Sequence, residues 1–306
     1  MKMKILAIQG SSLDKIKTET DTTLFLALEA QKRKYKIFYF EPNSLSFTNN
    51  RVFAQGKFLK LYEKNKNFYK IEKKASIDIG KVKIVLIRNE PPFDQQYINT
   101  TYFLDHISRK VKIINNPTAV RNVAEKLFSL KLMKYMPPTL ITENFAEIKT
   151  FFKKHEKIII KPINSYSGNE VILLRKFNKK TIYKYIKKYN HVIFQKYLPN
   201  IINGDKRVFI INNKIKGCIS RIPKKGSILS NMSKGAIAKL TVLTKKETQI
   251  SKKVANLLTK NNIYFAGIDF VQGKLIGDIN VTSPTGLKTH YNLSKVNLAE
   301  YFWDNI

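Results

Sequence analysis

Three oxygen-bearing side chains near the carboxyl end of the chain, Asp269, Asp278 and Asn280, are of the types that bind a divalent metal ion. If Gln272-Gly273 forms a two-residue hairpin turn, Asp269 pairs with Ile276 and the two-residue period of strands places all three side chains on one face. Magnesium prefers oxygen ligands and is usually held by one or two carboxylates together with substrate phosphates. The spacing therefore predicts a magnesium and nucleotide site. A hairpin whose acids only face water is the competing interpretation, and a three-residue turn would reverse the parity.

Two lysines and two arginines could bind the anionic groups of a nucleotide. Lys161 ends an apolar run, so a strand would present its ammonium group at a sheet edge, and Lys126 follows Glu125 in a short motif. Because lysine is abundant in this chain, a solvated surface position is the default interpretation of each. Arg207 and Arg221 flank a predicted hairpin, whose antiparallel geometry returns both side chains to one open end. There they could bind a carboxylate or phosphoryl group, or form structural ion pairs.

The composition predicts a soluble globular protein of two or three small domains. The chain has 306 residues, 43% hydrophobic content and a net charge of +34, enough to bury a substantial core. Only eight of the 56 basic residues are arginine and the lysines are evenly spread, so we expect no nucleic-acid partner. The short apolar run at the amino end and the lack of an apolar stretch near eighteen residues predict a cytoplasmic location and no membrane partner. The single cysteine, Cys218, excludes an internal disulfide and is predicted to be a packed thiol.

Hydrophobic periodicity divides the chain into three predicted units. Residues 1–117 are predicted to form an α/β domain with parallel strands, with the lysine-rich stretch 56–83 as a hairpin insertion of unknown role. Residues 118–199 are predicted to form a smaller α+β unit that opens with a helix over 123–135. Residues 200–306 are predicted to form a second α+β unit, built on two hairpins and a helix.

Further short motifs occur along nearly the whole chain. They are Arg88-Asn89-Glu90-Pro91-Pro92-Phe93-Asp94, Tyr102, Asn116-Pro117, Glu125-Lys126-Leu127-Phe128, Lys161-Pro162, Gln195 with Tyr197-Leu198-Pro199, Gly204-Asp205-Lys206-Arg207-Val208, Arg221-Ile222-Pro223 and Asn280-Val281-Thr282-Ser283-Pro284-Thr285. In order and separation they resemble bacterial glutathione synthetases. Each motif is weak alone, but their ordered occurrence is specific. The resemblance implies the ATP-grasp fold, in which two α+β units hold ATP between them behind an N-terminal α/β domain, the pre-ATP-grasp domain.

The resemblance also implies a reaction and a set of site residues. Glutathione synthetases join γ-glutamylcysteine and glycine through an acyl phosphate, with ATP and Mg²⁺ (Mn²⁺ is an alternative metal), and a homo-oligomer is implied. The implied catalytic residues are Arg207 and Arg221, and the implied metal ligands are Asp269, Asp278 and Asn280. The implied ATP contacts are Lys126, Lys161, Gln195, Lys196, Tyr197, Leu198 and Asp205. The implied substrate contacts are Arg88, Asn231, Ser283, Pro284, Thr285 and Gly286.

Three departures from the family pattern bear on turnover. Residues 164–170 retain one glycine where the family has a glycine-rich phosphate lid. Within residues 226–236, Leu229 stands where the family has an arginine, a loss that Lys234 or another cation could offset. Asp278 replaces a glutamate in a hairpin that is one residue longer. A ligase with other amino-acid or peptide substrates, a nucleotide-binding protein without turnover and a nucleic-acid-binding protein therefore remain as alternatives.

Overall fold

The amino-terminal part of the chain forms a six-stranded sheet. The computed structural model describes residues 4–64 and 66–306. The strands of this sheet are β1 (Ile5–Gly10), β2 (Lys36–Thr48), β3 (Arg51–Leu61), β4 (Tyr69–Asp78), β5 (Ile84–Arg88) and β6 (Lys112–Ile114), in the spatial order β4-β3-β2-β1-β5-β6. β1 pairs in parallel with β2 and β5, and β5 with β6, whereas β2, β3 and β4 are antiparallel. The predicted α/β domain with parallel strands is confirmed. The antiparallel strands β3 and β4 at the edge of its sheet were not predicted as part of that sheet.

The stretch 56–83 differs from its prediction as an insertion. Its two strands, β3 and β4, do form a hairpin, but β3 already begins at Arg51 and both strands extend the main sheet. The extension is possible because β2 continues past a register shift between Phe40 and Leu45 and pairs with β3 on both sides of that shift. The exposed edge strand β4 carries several lysines, which discourage pairing with another chain.

Two further sheets are antiparallel throughout. The second sheet contains β7 (Thr139–Thr142), β8 (Ile158–Pro162), β9 (Ile172–Leu174) and β10 (Val192–Lys196), in the order β7-β10-β8-β9. The third sheet contains β11 (Asp205–Ile211), β12 (Lys214–Ile222), β13 (Ile237–Leu240), β14 (Phe265–Val271) and β15 (Lys274–Asn280), in the order β13-β12-β11-β14-β15. Asn212 and Asn213 both have positive φ, as the predicted hairpin turn requires.

The helices lie between and after these strands. They are α1 (Thr22–Lys32), α2 (Gln95–Ile107), α3 (Pro117–Asn122), α4 (Glu125–Phe128), α5 (Phe145–His155), α6 (Lys179–Tyr189), α7 (Lys245–Lys260), α8 (Leu287–Ser294) and α9 (Leu298–Asp304). No helix within residues 4–64 and 66–306 has the length and apolar character that a bilayer crossing requires. The sequence did not predict α3, α8, α9 or the edge strand β13.

The predicted helix over 123–135 is wrong. Only α4 is α-helical, and a 3-10 segment follows it from Ser129 to Tyr135, with a non-helical backbone at Leu132. The hydroxyl of Ser129 donates to the carbonyl oxygen of Lys126, a local bond that competes with helical pairing. Ser129 and Met136 also pack against β15 at Gly277. Tertiary packing therefore overrides the helical spacing of the apolar residues in this segment.

Three apolar cores hold the chain together. The second sheet, α5 and α6 share a small core of their own, which includes Ile148, Ile182 and Phe194. The other two cores each combine residues of the first and third sheets. The last helix α9 packs on α1, where Trp303 Nε1 donates to Leu26 O at 2.9 Å. The first and third sheets thus share two apolar cores, whereas the second sheet has a core of its own.

Asn115 joins the first sheet to the third. Its amide nitrogen donates to the carbonyl oxygens of Phe265 and Val281 at 2.8 and 2.7 Å. Its amide oxygen accepts from the backbone nitrogens of Tyr264 and Phe265 at 3.0 and 2.8 Å. The side chain is buried, so these four bonds satisfy polar groups that water does not reach.

Replacing Asn115 by Ala should lower the free energy of unfolding by about 3–5 kcal/mol, because it leaves several buried backbone groups without partners. Urea unfolding followed by far-ultraviolet circular dichroism measures this loss. Asn99 is exposed on α2, so Asn99→Ala is the matched control and should change the value by less than about 0.5 kcal/mol. Equal stability of the two variants would contradict the role given to Asn115.

Candidate active site

A cleft of about 330 Å³ lies between the second and third sheets. Ile159 and Lys161 of β8 and Gln195 of β10 line one side, and residues of β11, β12, β14 and β15 line the other. The predicted site residues that line it are Lys126, Lys161, Gln195, Lys196, Tyr197, Leu198, Asp205, Arg207, Arg221, Asn231, Asp269, Asp278, Asn280, Ser283 and Thr285. Arg88, Pro284 and Gly286 are not part of this lining. The fold therefore gathers most of the predicted residues in one place.

The hairpin of β14 and β15 brings Asp269, Asp278 and Asn280 to the cleft, but not in the predicted register. The two-residue turn is confirmed, since Val271 pairs with Lys274. Further along, Gly267 pairs with Asn280, so the register has shifted by two residues, and the predicted pairing of Asp269 with Ile276 is wrong. Because the shift is even, it leaves every side chain on its original face.

The bulge that causes this shift contains Gly277, whose φ is +91°. A Cβ atom there would lie 2.8 Å from Met136 Cε and 3.2 Å from Ser129 Oγ. Only glycine allows both this backbone conformation and the close approach of the 3-10 segment. The bulge also presents the carbonyl oxygen of Ile276 to Lys161 Nζ at 2.8 Å. The residues of the bulge thus form part of one wall of the cleft.

Asp269 is at the centre of a buried ion-pair network. Arg207 donates to both its carboxylate oxygens, with Nη2 to Oδ2 at 2.8 Å, and Arg221 Nη2 lies 3.1 Å from Oδ2. Arg221 also donates to both oxygens of Asp205, with Nε to Oδ1 at 2.8 Å. All four side chains are buried. The arginines therefore meet at one end of the hairpin as predicted, and in this structure they form ion pairs.

The charge of Asp269 depends on these arginines. Burial raises the pKa of a carboxyl group, but the adjacent Arg207 and Arg221 guanidinium groups outweigh that effect and lower the pKa of Asp269 from 3.8 to about 2. The carboxylate is thus ionised at any physiological pH. The interpretation of the hairpin acids as merely facing water is wrong for Asp269, which is 3% exposed.

Lys126 and Lys161 are both buried, contrary to the solvated default for surface lysines. They are 9% and 5% exposed. Lys126 Nζ donates to the carbonyl oxygen of Ser165, and Lys161 Nζ lies 3.6 Å from Asp278 Oδ1. Burial lowers the pKa of Lys161, and the charge of Asp278 offsets part of that effect. Lysine is rarely buried without a partner, and here the partners are a backbone carbonyl oxygen for Lys126 and a carbonyl oxygen and a carboxylate for Lys161.

Asp278 and Asn280 fit a divalent cation. Asp278 Oδ1 is buried and has no hydrogen-bond partner among the described residues. The amide nitrogen of Asn280 donates to Gly267 O at 3.1 Å, which leaves its amide oxygen for a further ligand. No three His, Cys, Asp or Glu side chains in the described parts of the chain form a metal cluster. A donor set of carboxylate and amide oxygens that needs phosphate oxygens to be completed suits magnesium.

Two loops with altered sequences meet over the cleft. A Cβ atom on Gly168 would lie 2.6 Å from Asn231 Oδ1 and 3.2 Å from Leu229 Cδ2. The loop 164–170 therefore packs directly on the segment 226–234, with Leu229 against the one glycine that the first loop retains. Lys234 is exposed and is not among the residues that line the cleft, so in this structure it does not replace the missing arginine.

Tyr197, Leu198 and the exposed Lys196 line the cleft after β10, beside the apolar side chains of Ile159 and Ile201. The side chain of Gln195 is buried and its amide nitrogen donates to Thr139 Oγ1 at 2.8 Å. An apolar wall of this kind is suited to a flat aromatic base.

Arg88 supports the turn 283–286 and does not line the cleft. It donates to Thr23 Oγ1 and to Pro284 O, both at 3.0 Å. Ser283 Oγ donates in return to Arg88 O at 3.3 Å. Gly286, which has a φ of +113°, precedes α8 and donates its N–H to Thr22 Oγ1. The structure therefore joins Arg88 to the predicted substrate turn.

The half-buried Glu125 and the buried Ser230 are cleft residues that the sequence reasoning missed as site residues. Glu125 Oε1 accepts from Thr282 Oγ1 at 2.9 Å, and burial raises the pKa of its carboxyl group. Ser230 Oγ donates to Asp205 Oδ2 at 2.6 Å. The position of Glu125 next to Lys126 was a usable signal, whereas nothing in the local sequence marks Ser230.

The fold and this cleft define an ATP-grasp ligase. The N-terminal domain model of prokaryotic glutathione synthetase matches residues 3–121, and the ATP-grasp domain model of the same family matches residues 125–295. The glutathione synthetase of Rhodopseudomonas palustris is 34% identical over 310 residues, covering 100% of this chain and 98% of the relative. That of Mesorhizobium japonicum is 32% identical over 311 residues, with 100% and 98% covered.

A solved structure of D-cycloserine synthetase superimposes with a TM-score of 0.67 at 11% identity, covering 98% of this chain and 99% of the other, and shows the same fold. The chain belongs to the prokaryotic glutathione synthetase family. It is an ATP-dependent carboxylate–amine ligase.

Replacing Asp269 by Asn should lower the free energy of unfolding at neutral pH by about 3–5 kcal/mol, because two buried guanidinium groups lose their shared carboxylate. The folded-state pKa of Asp269 lies below its ordinary value, so the stabilisation is complete above pH 3.8 and is lost as the pH falls towards about 2. Urea unfolding of wild type and variant across this pH range measures the difference.

Asp304→Asn is the control for this prediction, because Asp304 pairs with Arg33 at the surface. Its loss should cost less than about 1 kcal/mol. A difference between wild type and Asp269→Asn that stays constant down to about pH 2 would contradict the assigned pKa shift.

Proposed function

We propose that this chain joins γ-glutamylcysteine to glycine at the expense of ATP, in the cleft between the second and third sheets. The observation that carries the proposal is the convergence of buried cations and buried oxygen ligands from two separate sheets in this cleft. Family membership supports the reaction class, with ATP and Mg²⁺ as its cofactors. The residue roles below are inferred from the geometry.

The two buried lysines would bind the triphosphate of ATP. Lys126 and Lys161 contact the backbone carbonyl oxygens of Ser165 and Ile276, and phosphate oxygens can take the place of these acceptors with a stronger, charge-assisted bond. The apolar wall after β10, including Tyr197 and Leu198, would receive the adenine base. The backbone and side chains of residues 195–198 would then fix the nucleotide in the cleft.

Asp278 and Asn280 would bind the magnesium ion directly. Asp269, which also pairs with two arginines, would lie beside them. When bound, Mg²⁺ neutralises charge on the phosphates during phosphoryl transfer. The carboxylate of Asp269 has lone pairs beyond those that Arg207 and Arg221 use. Asp278 Oδ1 has no hydrogen-bond partner among the described residues, and Lys161 Nζ lies 3.6 Å from it. A magnesium ion would give this oxygen a direct partner.

Arg207 and Arg221 would align the reacting carboxylate. An oxygen of the cysteinyl carboxylate attacks the γ-phosphorus and ADP leaves, which gives an acyl phosphate. The amine nitrogen of glycine then attacks the acyl carbon, phosphate leaves and the nitrogen loses a proton to solvent. Fixed guanidinium groups in a water-poor cleft stabilise the negative charge that develops in both steps. Arg88 and the turn 283–286, with Asn231 opposite, would hold the rest of the dipeptide.

Release of ADP from ATP and Mg²⁺ should require γ-glutamylcysteine, and glutathione should form only when glycine is also present. A coupled ADP assay with each component omitted in turn, together with chromatography of the product, measures this. ADP release that ignores both substrates would contradict the proposal. Activity with another dipeptide or amine would identify a ligase of different specificity. Magnesium-dependent ATP binding without ADP release would identify a nucleotide-binding protein.

Replacing Asp278 by Asn should raise the half-saturating Mg²⁺ concentration by about tenfold to a hundredfold, the range typical of lost metal-site support. The physical reason is the loss of the carboxylate on the β14–β15 hairpin that does not also pair with an arginine. Magnesium titration of ADP release at saturating ATP measures the effect. Asp14→Asn is the control, since Asp14 is exposed and is not among the cleft residues; equal Mg²⁺ dependence of both variants would count against the metal site.

The cytoplasmic location, the homo-oligomer and the absence of a nucleic-acid partner stay predictions from the sequence. Cell fractionation tests the first and light scattering of the purified protein tests the second. Binding of single-stranded RNA that weakens steeply with salt would contradict the third.

A further inference from the structure

Ser230 lies in the segment 226–234, which follows β12 and forms part of the cleft wall. Its side chain is buried, and its hydroxyl donates to Asp205 Oδ2 at 2.6 Å. A hydroxyl bond to a carboxylate is a charge-assisted bond and is stronger than a bond between neutral groups. The segment is thus attached at this point to the ion-pair network of the third sheet.

The attachment reaches the reacting end of the cleft through Asp205. The same oxygen, Oδ2, accepts from Ser230 and from Arg221, and the other carboxylate oxygen accepts from Arg221 Nε. Asp205 and Arg221 lie opposite each other on β11 and β12. Ser230 is the member of this network that comes from a loop, whereas Asp205, Arg207, Arg221 and Asp269 stand on strands. Movement of the loop therefore changes the hydrogen-bond donors around the Asp205 carboxylate. Through that carboxylate it changes the position of the Arg221 guanidinium group.

The residues beside Ser230 make the contact across the cleft. Asn231 and Leu229 pack on Gly168 of the opposite loop, and Lys126 Nζ reaches that loop at Ser165 O. Ser230 is therefore placed between the loop-to-loop contact above the cleft and the arginine network below it. Through its hydroxyl, Ser230 therefore connects the contact between the two loops to the arginine network.

We propose that Ser230 is a positioning residue for ligation, whose bond to Asp205 couples the seating of segment 226–234 over the cleft to the alignment of Arg221. This inference rests on the proposed ligase function of the same cleft. When segment 226–234 lies over the cleft, the hydroxyl of Ser230 donates to Asp205. Arg221 then has the orientation in which it faces the reacting carboxylate.

Ser230→Ala should lower kcat by about tenfold or more, the effect of losing a hydrogen bond to a charged group, while the KM for ATP changes by less than about twofold because Lys126 and Lys161 are untouched. Ser230→Thr keeps the hydroxyl and should restore most of the lost kcat. Ser46→Ala removes an exposed hydroxyl on β2, outside the cleft, and should leave kcat within about twofold of wild type. An unchanged kcat in Ser230→Ala, or equal losses in Ser230→Ala and Ser46→Ala, would overturn the inference.

Hydrogen–deuterium exchange separates this inference from the proposed function, because it does not require turnover. In Ser230→Ala without ligands, the amides of residues 226–234 should exchange about tenfold faster than in wild type, and those of α7 should be unchanged. Thermal unfolding of each variant checks that the fold is intact. If wild type releases no ADP, the proposed function fails and the exchange result still decides the coupling. Unchanged exchange in residues 226–234 would overturn the coupling even if kcat had fallen.

Discussion

Two buried carboxylates and two buried guanidinium groups tie the central strands of the third sheet together on its cleft side. Asp205 and Arg207 on β11, Arg221 on β12 and Asp269 on β14 form one network in which each charge has an opposite neighbour. Charges of this kind are expensive to bury and are stable only when their hydrogen bonds are complete. The requirement for complete pairing holds the three strands and the four side chains together on the floor of the cleft.

The cleft contrasts with the surface around it. The chain carries a net charge of +34, yet the cleft is lined by five basic side chains and five acidic ones. The basic ones are Lys126, Lys161, Lys196, Arg207 and Arg221, and the acidic ones are Glu90, Glu125, Asp205, Asp269 and Asp278. Local balance of charge allows so many ionisable groups, several of them buried, to share one cleft. The positive exterior can concentrate anionic substrates, whereas the interior is arranged to receive a metal ion and phosphates together.

The altered loops acquire a physical meaning from this arrangement. The loop 164–170 has lost most glycines of the family pattern, and its remaining Gly168 lies where a Cβ atom would collide with Asn231. Leu229 adds an apolar contact at the same place, and Ser230 adds a bond to the ion-pair network. The two loops therefore contact each other through packing, and one hydroxyl attaches the second loop to the ion-pair network.

Local sequence was sufficient for many elements and for the faces of strands. The turn at Gln272-Gly273, the hairpin that Arg207 and Arg221 flank and a helix in the carboxyl-terminal unit follow from periodicity and turn chemistry, which act over a few residues. The predicted metal ligands could be grouped because side chains alternate along strands. The bulge at Gly277 could not be predicted, because it depends on Met136 and Ser129, which are distant in sequence. The even shift it causes left the predicted face correct although the predicted register was wrong.

The amino-acid sequence by itself determined which chemical groups were available: oxygen ligands on one hairpin, lysines at a strand end and in a short helix, and a rare pair of arginines. Only the tertiary structure decided their states. Lys126 and Lys161 were buried beside polar partners, the two arginines were paired with Asp205 and Asp269, and a loop serine was attached to that network. Residue type and spacing are local properties, whereas burial and charge pairing arise from contacts between segments far apart in the chain, which no local pattern specifies.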